Sequence, residues 1–295
     1  MFCVLKETLL GIKIQTVPNP LVPHGQRATG NQLSLPMLHT TLMNAANAGA
    51  EQLRYFFDKT FNISNKEGVN NLVTEADHAA EKAIIDTIQK DFPDHFILGE
   101  ESGEMATGSE YKWIIDPLDG TVNFAHGIPI CAVSIGIEHN GEMVMGAVLA
   151  PFINELYYAR KGDGAFLNDK KIRVSSGTDI ATSCLVTGFP YTYPKLHRGP
   201  LEIFSKLVTQ GIPVRRLGSA AIDMCWVAAG RFEGFWEFNL SPWDTAAGEI
   251  IVKEAGGTVT DFDNKPFSCY QKQLLATNGH IHEALLHEIT GSKQV

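Results

Sequence analysis

The 295-residue chain is 44% apolar and 19% charged, which excludes global disorder and fits a globular protein. Its formal charge of −9, from 24 basic and 33 acidic residues, argues against a nucleic-acid-binding surface. Cys3, Cys131, Cys184, Cys225 and Cys269 form no C-x-x-C pair and read as reduced thiols, while no apolar run approaches the ~20 residues of a spanning helix. A cytoplasmic chain without a membrane partner is the default expectation.

Residues 1–36 carry Pro18, Pro20, Pro23 and Pro36 in a polar stretch without periodicity, which reads as a flexible extension. Their start, MFCVLKETLLGIKI, is broken by Lys6 and Glu7 and lacks a signal-peptide core. From Met37, Leu42, Ala45, Ala46 and Leu53 recur at helical spacing; Gly49 falls on the same face and weakens the pattern. After a polar loop at 66–71, a second helix is expected from Thr74 to about Lys90. Thr74 and Asp77 have the spacing of a capping box there, so the ordinary role of Asp77 is helix capping.

Phe96 to Gly99 reads as a short strand running into Glu100. The next apolar run, Trp113 to Ile115, ends in Asp116-Pro117-Leu118-Asp119-Gly120-Thr121. That stretch reads as a sharp turn with three oxygen donors: two carboxylates and the Leu118 carbonyl. The Gly-Thr that follows offers N–H groups at a helix start. Hard divalent cations take oxygen ligands and share them with phosphate, and helix N-termini bind phosphate directly. An ordinary solvated Asp-Pro/Asp-Gly turn is the plain alternative.

Ile130 to Glu138 and Glu142 to Ala150 read as a hairpin joined at Asn140-Gly141, followed by short β pieces at 155–159 and 164–167. Further strands are expected at 183–187, 214–217, 234–238, 258–262 and 274–277. Helices are expected at 201–210, 218–229, 245–255 and from about His280. Asp244 stands at the start of the third of these, where it either complements the helix dipole or acts as a ligand. His280, His282 and His287 have no second cluster to support zinc.

Four acids, Glu100, Asp116, Asp119 and Asp244, thus sit at element ends, and cations would relieve their mutual repulsion. Together with Val73-Thr74-x-x-Asp77, Gly99-Glu100-Glu101-Ser102, Trp113 to Phe124 and Trp243-Asp244-Thr245-Ala246-Ala247-Gly248, they resemble the ordered signatures of the inositol monophosphatase family. The resemblance runs from about Met37 to the C-terminus. It implies an α+β fold, a layered α/β/α/β/α sandwich spanning 37–295 with lobes of about 37–180 and 181–295, and commonly a homodimer.

It further implies a lithium-sensitive phosphatase of inositol monophosphate or a related polyol phosphate, with two or three Mg²⁺ ions. Glu100, Asp116 and the Leu118 carbonyl would hold the first ion; Asp116, Asp119 and Asp244 the second. Thr121, oriented by Asp77, would position the attacking water with Glu100. Gly120 and Thr121 would bind phosphate, beside Asp119 and Asp244. Gly218, Ser219, Ala220 and Glu237 would face the alcohol, and Lys66 matches a basic residue near the metals. Val122-Asn123-Phe124 favours the inositol branch; histidinol-phosphatase and fructose-1,6-bisphosphatase activities share the scaffold, and a non-catalytic binding module is the alternative outside enzymes.

Overall fold

A computed structural model describes residues 35–57, 63–65, 72–190 and 199–291, and Leu35–Val295 forms one compact unit. Of the expected extension over 1–36, residues 1–34 lie outside the described residues, as does the Lys66 assignment, while Leu35 and Pro36 belong to a helix. Among the described residues no helix is long and apolar enough to cross a membrane.

Helix α1 (Leu35–Phe56) starts two residues ahead of the expected Met37. Leu38, Leu42, Ala45, Ala46 and Leu53 are fully buried along one face, against α2 (Glu75–Asp91) and a large sheet. Burying each leucine contributes roughly 1.5–3 kcal/mol, so packing rather than propensity fixes the helix. Gly49 has its reason in this contact, since a Cβ there would lie 2.8 Å from Ile84 Cδ1.

Two three-residue strands, β1 (Ile63–Asn65) and β2 (Leu72–Thr74), pair ahead of α2. The large sheet then comprises β3 (Phe96–Gly99), β4 (Gly103–Met105), β5 (Tyr111–Asp119), β6 (Ala132–His139), β7 (Glu142–Ala150), β8 (Glu155–Arg160), β9 (Gly164–Leu167) and β10 (Lys170–Ile172). Its order is β10-β9-β8-β7-β6-β5-β3-β4, antiparallel except for β3 beside β5. The β6–β7 hairpin turns at Asn140 and Gly141, both at positive φ as the two-residue turn requires.

A smaller sheet, ordered β12-β11-β13-β15-β14, is built from β11 (Leu185–Thr187), β12 (Val214–Arg215), β13 (Gly234–Phe238), β14 (Thr258–Thr260) and β15 (Gln273–Thr277). Helices α5 (Ala220–Ala228) and α6 (Pro242–Glu254) lie between the two sheets and share one apolar core with both. Helix α5 is apolar nearly all round, as a helix covered on every side must be, and α6 is buried continuously from Thr245 to Val252. Gly136 and Gly146 let α6 settle directly onto β6 and β7; a Cβ at Gly136 would lie 2.7 Å from Ala246 Cβ. Helices α4 (Pro200–Thr209) and α7 (His282–Thr290) cover the outer face of the small sheet. The layers are therefore α/β/α/β/α, as the resemblance implies.

Candidate active site

The site begins where β3 and β5 end side by side. Gly99 pairs with Ile115, and Glu100 N–H donates to Ile115 O at 3.1 Å. Parallel neighbours bring consecutive strand ends to one edge, so Glu100 comes within side-chain hydrogen-bonding reach of Asp116. The expected sharp turn at Pro117 is instead a bulge. Strand β5 continues to Asp119 with its register shifted between Asp116 and Asp119, and Leu118 N–H donates to Asp116 Oδ1 at 3.0 Å. A bulge tolerates the proline, which has no N–H to contribute to a ladder. The strand stops at Gly120, whose left-handed φ of +94° starts the five-residue helix α3 (Thr121–Ala125).

Three further acids are fixed by helix N-termini. Asp77 Oδ2 accepts from Thr74 N–H at 2.8 Å and from the Thr74 hydroxyl at 2.6 Å, closing the capping box of α2. Its other oxygen, Oδ1, accepts the Thr121 hydroxyl at 3.3 Å. Asp119 Oδ2 accepts from Ser219 Oγ at 2.5 Å and from Ala221 N–H at 2.8 Å, which bonds the first turn of α5 to the end of β5. Asp244 Oδ2 accepts from Ser241 N–H at 2.7 Å in the capping box of α6. Each acid therefore uses one oxygen to hold a helix start. Asp119 and Asp244 line one cleft with Glu100, Asp116 and Thr121.

Crowding buried acids around one cleft has an electrostatic consequence. Burial, then the charges of Glu100, Asp119 and Asp244, pushes Asp116 well above the usual carboxylate range. Burial pushes Asp244 up to about 8 and Asp119 up to about 6, the latter against the opposing hydrogen bonds from Ser219 and Ala221. Among the described residues no three His, Cys, Asp or Glu side chains stand as a finished metal-binding group. The donor chemistry nevertheless fits a hard divalent cation. The cleft lining offers carboxylates and the Leu118 backbone, with no sulfur or imidazole, and a cation would offset the crowding that raises Asp116.

The far end of the cleft is lined by Gly188, Arg216, Gly218 and Glu237. Burial, then Asp244 and Asp119, pushes Glu237 up to about 8, while Arg216 opposes the rise. Its carboxylate lies against the Cα of Gly188, where any Cβ would overlap it. Gly218, Ser219 and Ala220 all line the cleft, and the buried Ser219 gives its hydroxyl to Asp119. Arg216 and Gly188 are absent from the sequence reading, and Asn123 entered it only as part of Val122-Asn123-Phe124. Asn123 Nδ2 ties α3 to Ile130 O at 2.7 Å and to Leu217 O at 2.8 Å. The available signal for Arg216 was its place two residues before Gly218.

The family model described as inositol monophosphatase family matches residues 36–294. The chain belongs to the inositol monophosphatase family. Among the relatives of this inositol monophosphatase family member, the chloroplastic phosphatase IMPL1 of Arabidopsis thaliana is 41% identical over 273 residues, covering 90% of this chain and 73% of that protein. A Haemophilus influenzae protein named Nus factor SuhB is 39% identical over 255 residues, covering 86% and 96%. The solved inositol monophosphatase from Anabaena (Nostoc) superposes with a TM-score of 0.77 at 38% identity, covering 88% of this chain and 97% of that one.

Proposed function

We propose that the chain is a Mg²⁺-dependent phosphomonoesterase that releases phosphate from inositol monophosphate or a related small phosphorylated polyol. The observation that carries the reading is the convergence of Glu100, Asp116, Asp119 and Asp244 on one cleft with the Thr121–Asp77 pair at its edge. The donor atoms suit Mg²⁺ at Glu100, Asp116, the Leu118 carbonyl, Asp119 and Asp244, where it would neutralise the acids and polarise both phosphate and water.

The chain's own groups have separable tasks. The Thr121 hydroxyl has one proton and two acceptors, Leu118 O at 3.0 Å and Asp77 Oδ1 at 3.3 Å. With Leu118 O engaged elsewhere, Asp77 takes that proton, and a Thr121 lone pair can accept from a water in the cleft. Glu100, across the same space, accepts one proton of the water as the water oxygen bonds to phosphorus, and the phosphorus–alcohol bond breaks with the departing alkoxide taking up a proton from solvent. Gly120 and Thr121 hold phosphate oxygens at the start of α3. Glu237 and Gly218 border the departing alcohol.

The test is a screen of the purified protein over inositol phosphates, histidinol phosphate, fructose 1,6-bisphosphate and nucleotide 3′-phosphates, with and without Mg²⁺. Mg²⁺-dependent release strongest for an inositol monophosphate, inhibited by lithium, is the expected result. Preference for another ester would move the substrate within the same chemistry. No release from any of them would overturn the phosphatase reading.

A further inference from the structure

Helix α2 carries a second buried acid, Glu81, one turn beyond Asp77 and only 4% exposed. It stands outside the cleft lining and outside the capping box. Its Oε2 accepts from Glu101 N–H at 2.9 Å, in the turn that follows β3 and carries Glu100. The preceding residue, Gly99, leaves the space this carboxylate occupies. A Cβ there would lie 2.5 Å from Glu81 Oε2 and 2.7 Å from Ser102 Oγ.

The two acids on α2 grip different loops of the site. Asp77 accepts from Thr121 at the end of β5, and Glu81 accepts from the backbone beside Glu100 at the end of β3. Residues four apart lie on one helix face, about 5–6 Å apart. A rigid helix therefore fixes the spacing between the two loops, and those loops bear the two groups assigned to the attacking water. An ion-pair role has little support, because Glu81 is buried and the partner given by its hydrogen bond is a neutral amide. Burying a carboxylate for one amide is costly unless the position it enforces matters.

We propose that Glu81 is a positioning residue: it holds the Glu100 turn in register with Thr121, so that α2 sets the geometry of the water-activating pair. The inference rests on the roles given above to Glu100 and Thr121, and Glu81 itself touches neither substrate nor metal.

The experiment compares Glu81→Ala and Glu81→Gln in the full chain by calorimetric titration with Mn²⁺ alone, and by phosphate release. Supporting groups behind a metal ligand typically change metal affinity or activity by 10–100-fold, so Glu81→Ala is expected to weaken Mn²⁺ binding by at least about tenfold. Glu81→Gln retains an acceptor for Glu101 N–H and is expected to recover binding to within about threefold of the parent, on the same scale. In a Glu100→Ala background, Glu81→Ala should add almost nothing, because the two act as one unit. If Glu81→Ala does not fold, Gly99→Ala gives the same reading by forcing the carboxylate aside. Parental Mn²⁺ binding in folded Glu81→Ala or Gly99→Ala, or undiminished weakening in the Glu100→Ala background, overturns the proposal. The titration separates it from the phosphatase reading: a parent chain whose Mn²⁺ affinity depends on Glu81 and Glu100 but which cleaves no ester leaves the positioning role standing and removes the enzymatic one.

Discussion

Asp77 Oδ1 accepts the Thr121 hydroxyl at 3.3 Å while its Oδ2 closes the cap of α2, so one carboxylate both starts a helix and orients a candidate catalytic hydroxyl. The two tasks separate by substitution. In Asp77→Asn the amide oxygen can still take Thr74 N–H, which leaves an NH₂ facing Thr121 and reverses the polarity of that bond. The expected outcome is a kcat at least about tenfold lower with a small change in Tm. Asp77→Ala also removes the N3 half of the capping box, with Thr74 still at the N-cap of α2, and should lower Tm as well. Thermal melting beside steady-state kinetics of both variants checks this, and a loss of Tm alone would leave helix capping as the whole role.

Thr121→Ala keeps the backbone N–H and removes the hydroxyl. It should lower kcat far more than it changes KM, since the hydroxyl acts on the water rather than on the bound ester. A change confined to KM would make Thr121 a binding residue.

Asp116 is 2% exposed and faces Glu100, Asp119 and Asp244. Asp116→Asn should retain the fold, because the amide oxygen can accept from Leu118 N–H, while Mg²⁺ affinity and turnover fall by about two orders of magnitude or more. Titrating activity against Mg²⁺ reads both, and near-parental turnover at ordinary Mg²⁺ would show that the metal lies elsewhere.

The acids predict an unusual pH dependence for metal-free protein. Asp119 rises to about 6 and Asp244 to about 8, chiefly through burial, against about 3.9 for a free aspartate. A carboxyl whose folded pKa is raised holds its proton more tightly in the native state. Its contribution is complete below the unfolded pKa and is lost as pH climbs through the folded value. In EDTA, Tm should therefore fall between about pH 4 and pH 8 through these groups, and saturating Mg²⁺ should raise Tm more at pH 8 than at pH 5.5. Melting curves on that grid decide it; an equal Mg²⁺ effect at both values would mean that the cation does not displace these protons.

Gly49→Ala sets helix propensity against packing. Alanine gains about 1 kcal/mol in a helix interior, whereas overpacking a tight core costs typically 1–3 kcal/mol. The added methyl would meet Ile84 at 2.8 Å and Val133 at 3.2 Å, both fully buried, so packing wins. A lower Tm is expected, by about 2–4 °C for each kcal/mol. A higher Tm would show that α1 and α2 can separate freely.

The legible parts of the sequence were those with a period or a turn signature of their own. The buried stripe of α1, the Asn140-Gly141 hairpin and the Ser241–Asp244 start of α6 each announce themselves within a few residues. The strands β1, β2, β4 and β10 have three residues each, too few to show alternation. At Pro117 the dipeptides Asp-Pro and Asp-Gly suit a turn and a bulge alike, and only pairing with β6 decides for the bulge. Sequence left Asp77 as either a cap or an orienting group, because residue-level patterns do not distribute two oxygens of one carboxylate. Arg216 and Gly188 take their meaning from Glu237 on another strand, a relationship made by β11 and β13 lying side by side.

The packing of Glu237 against Gly188 also constrains how this cleft can change by descent. A Cβ at 188 would displace the end of the Glu237 side chain, so a larger residue there is accommodated most readily beside a shorter residue at 237. The room at one position is thus set by the length of the side chain at the other. Mutant libraries aimed at a new alcohol should therefore vary both codons together.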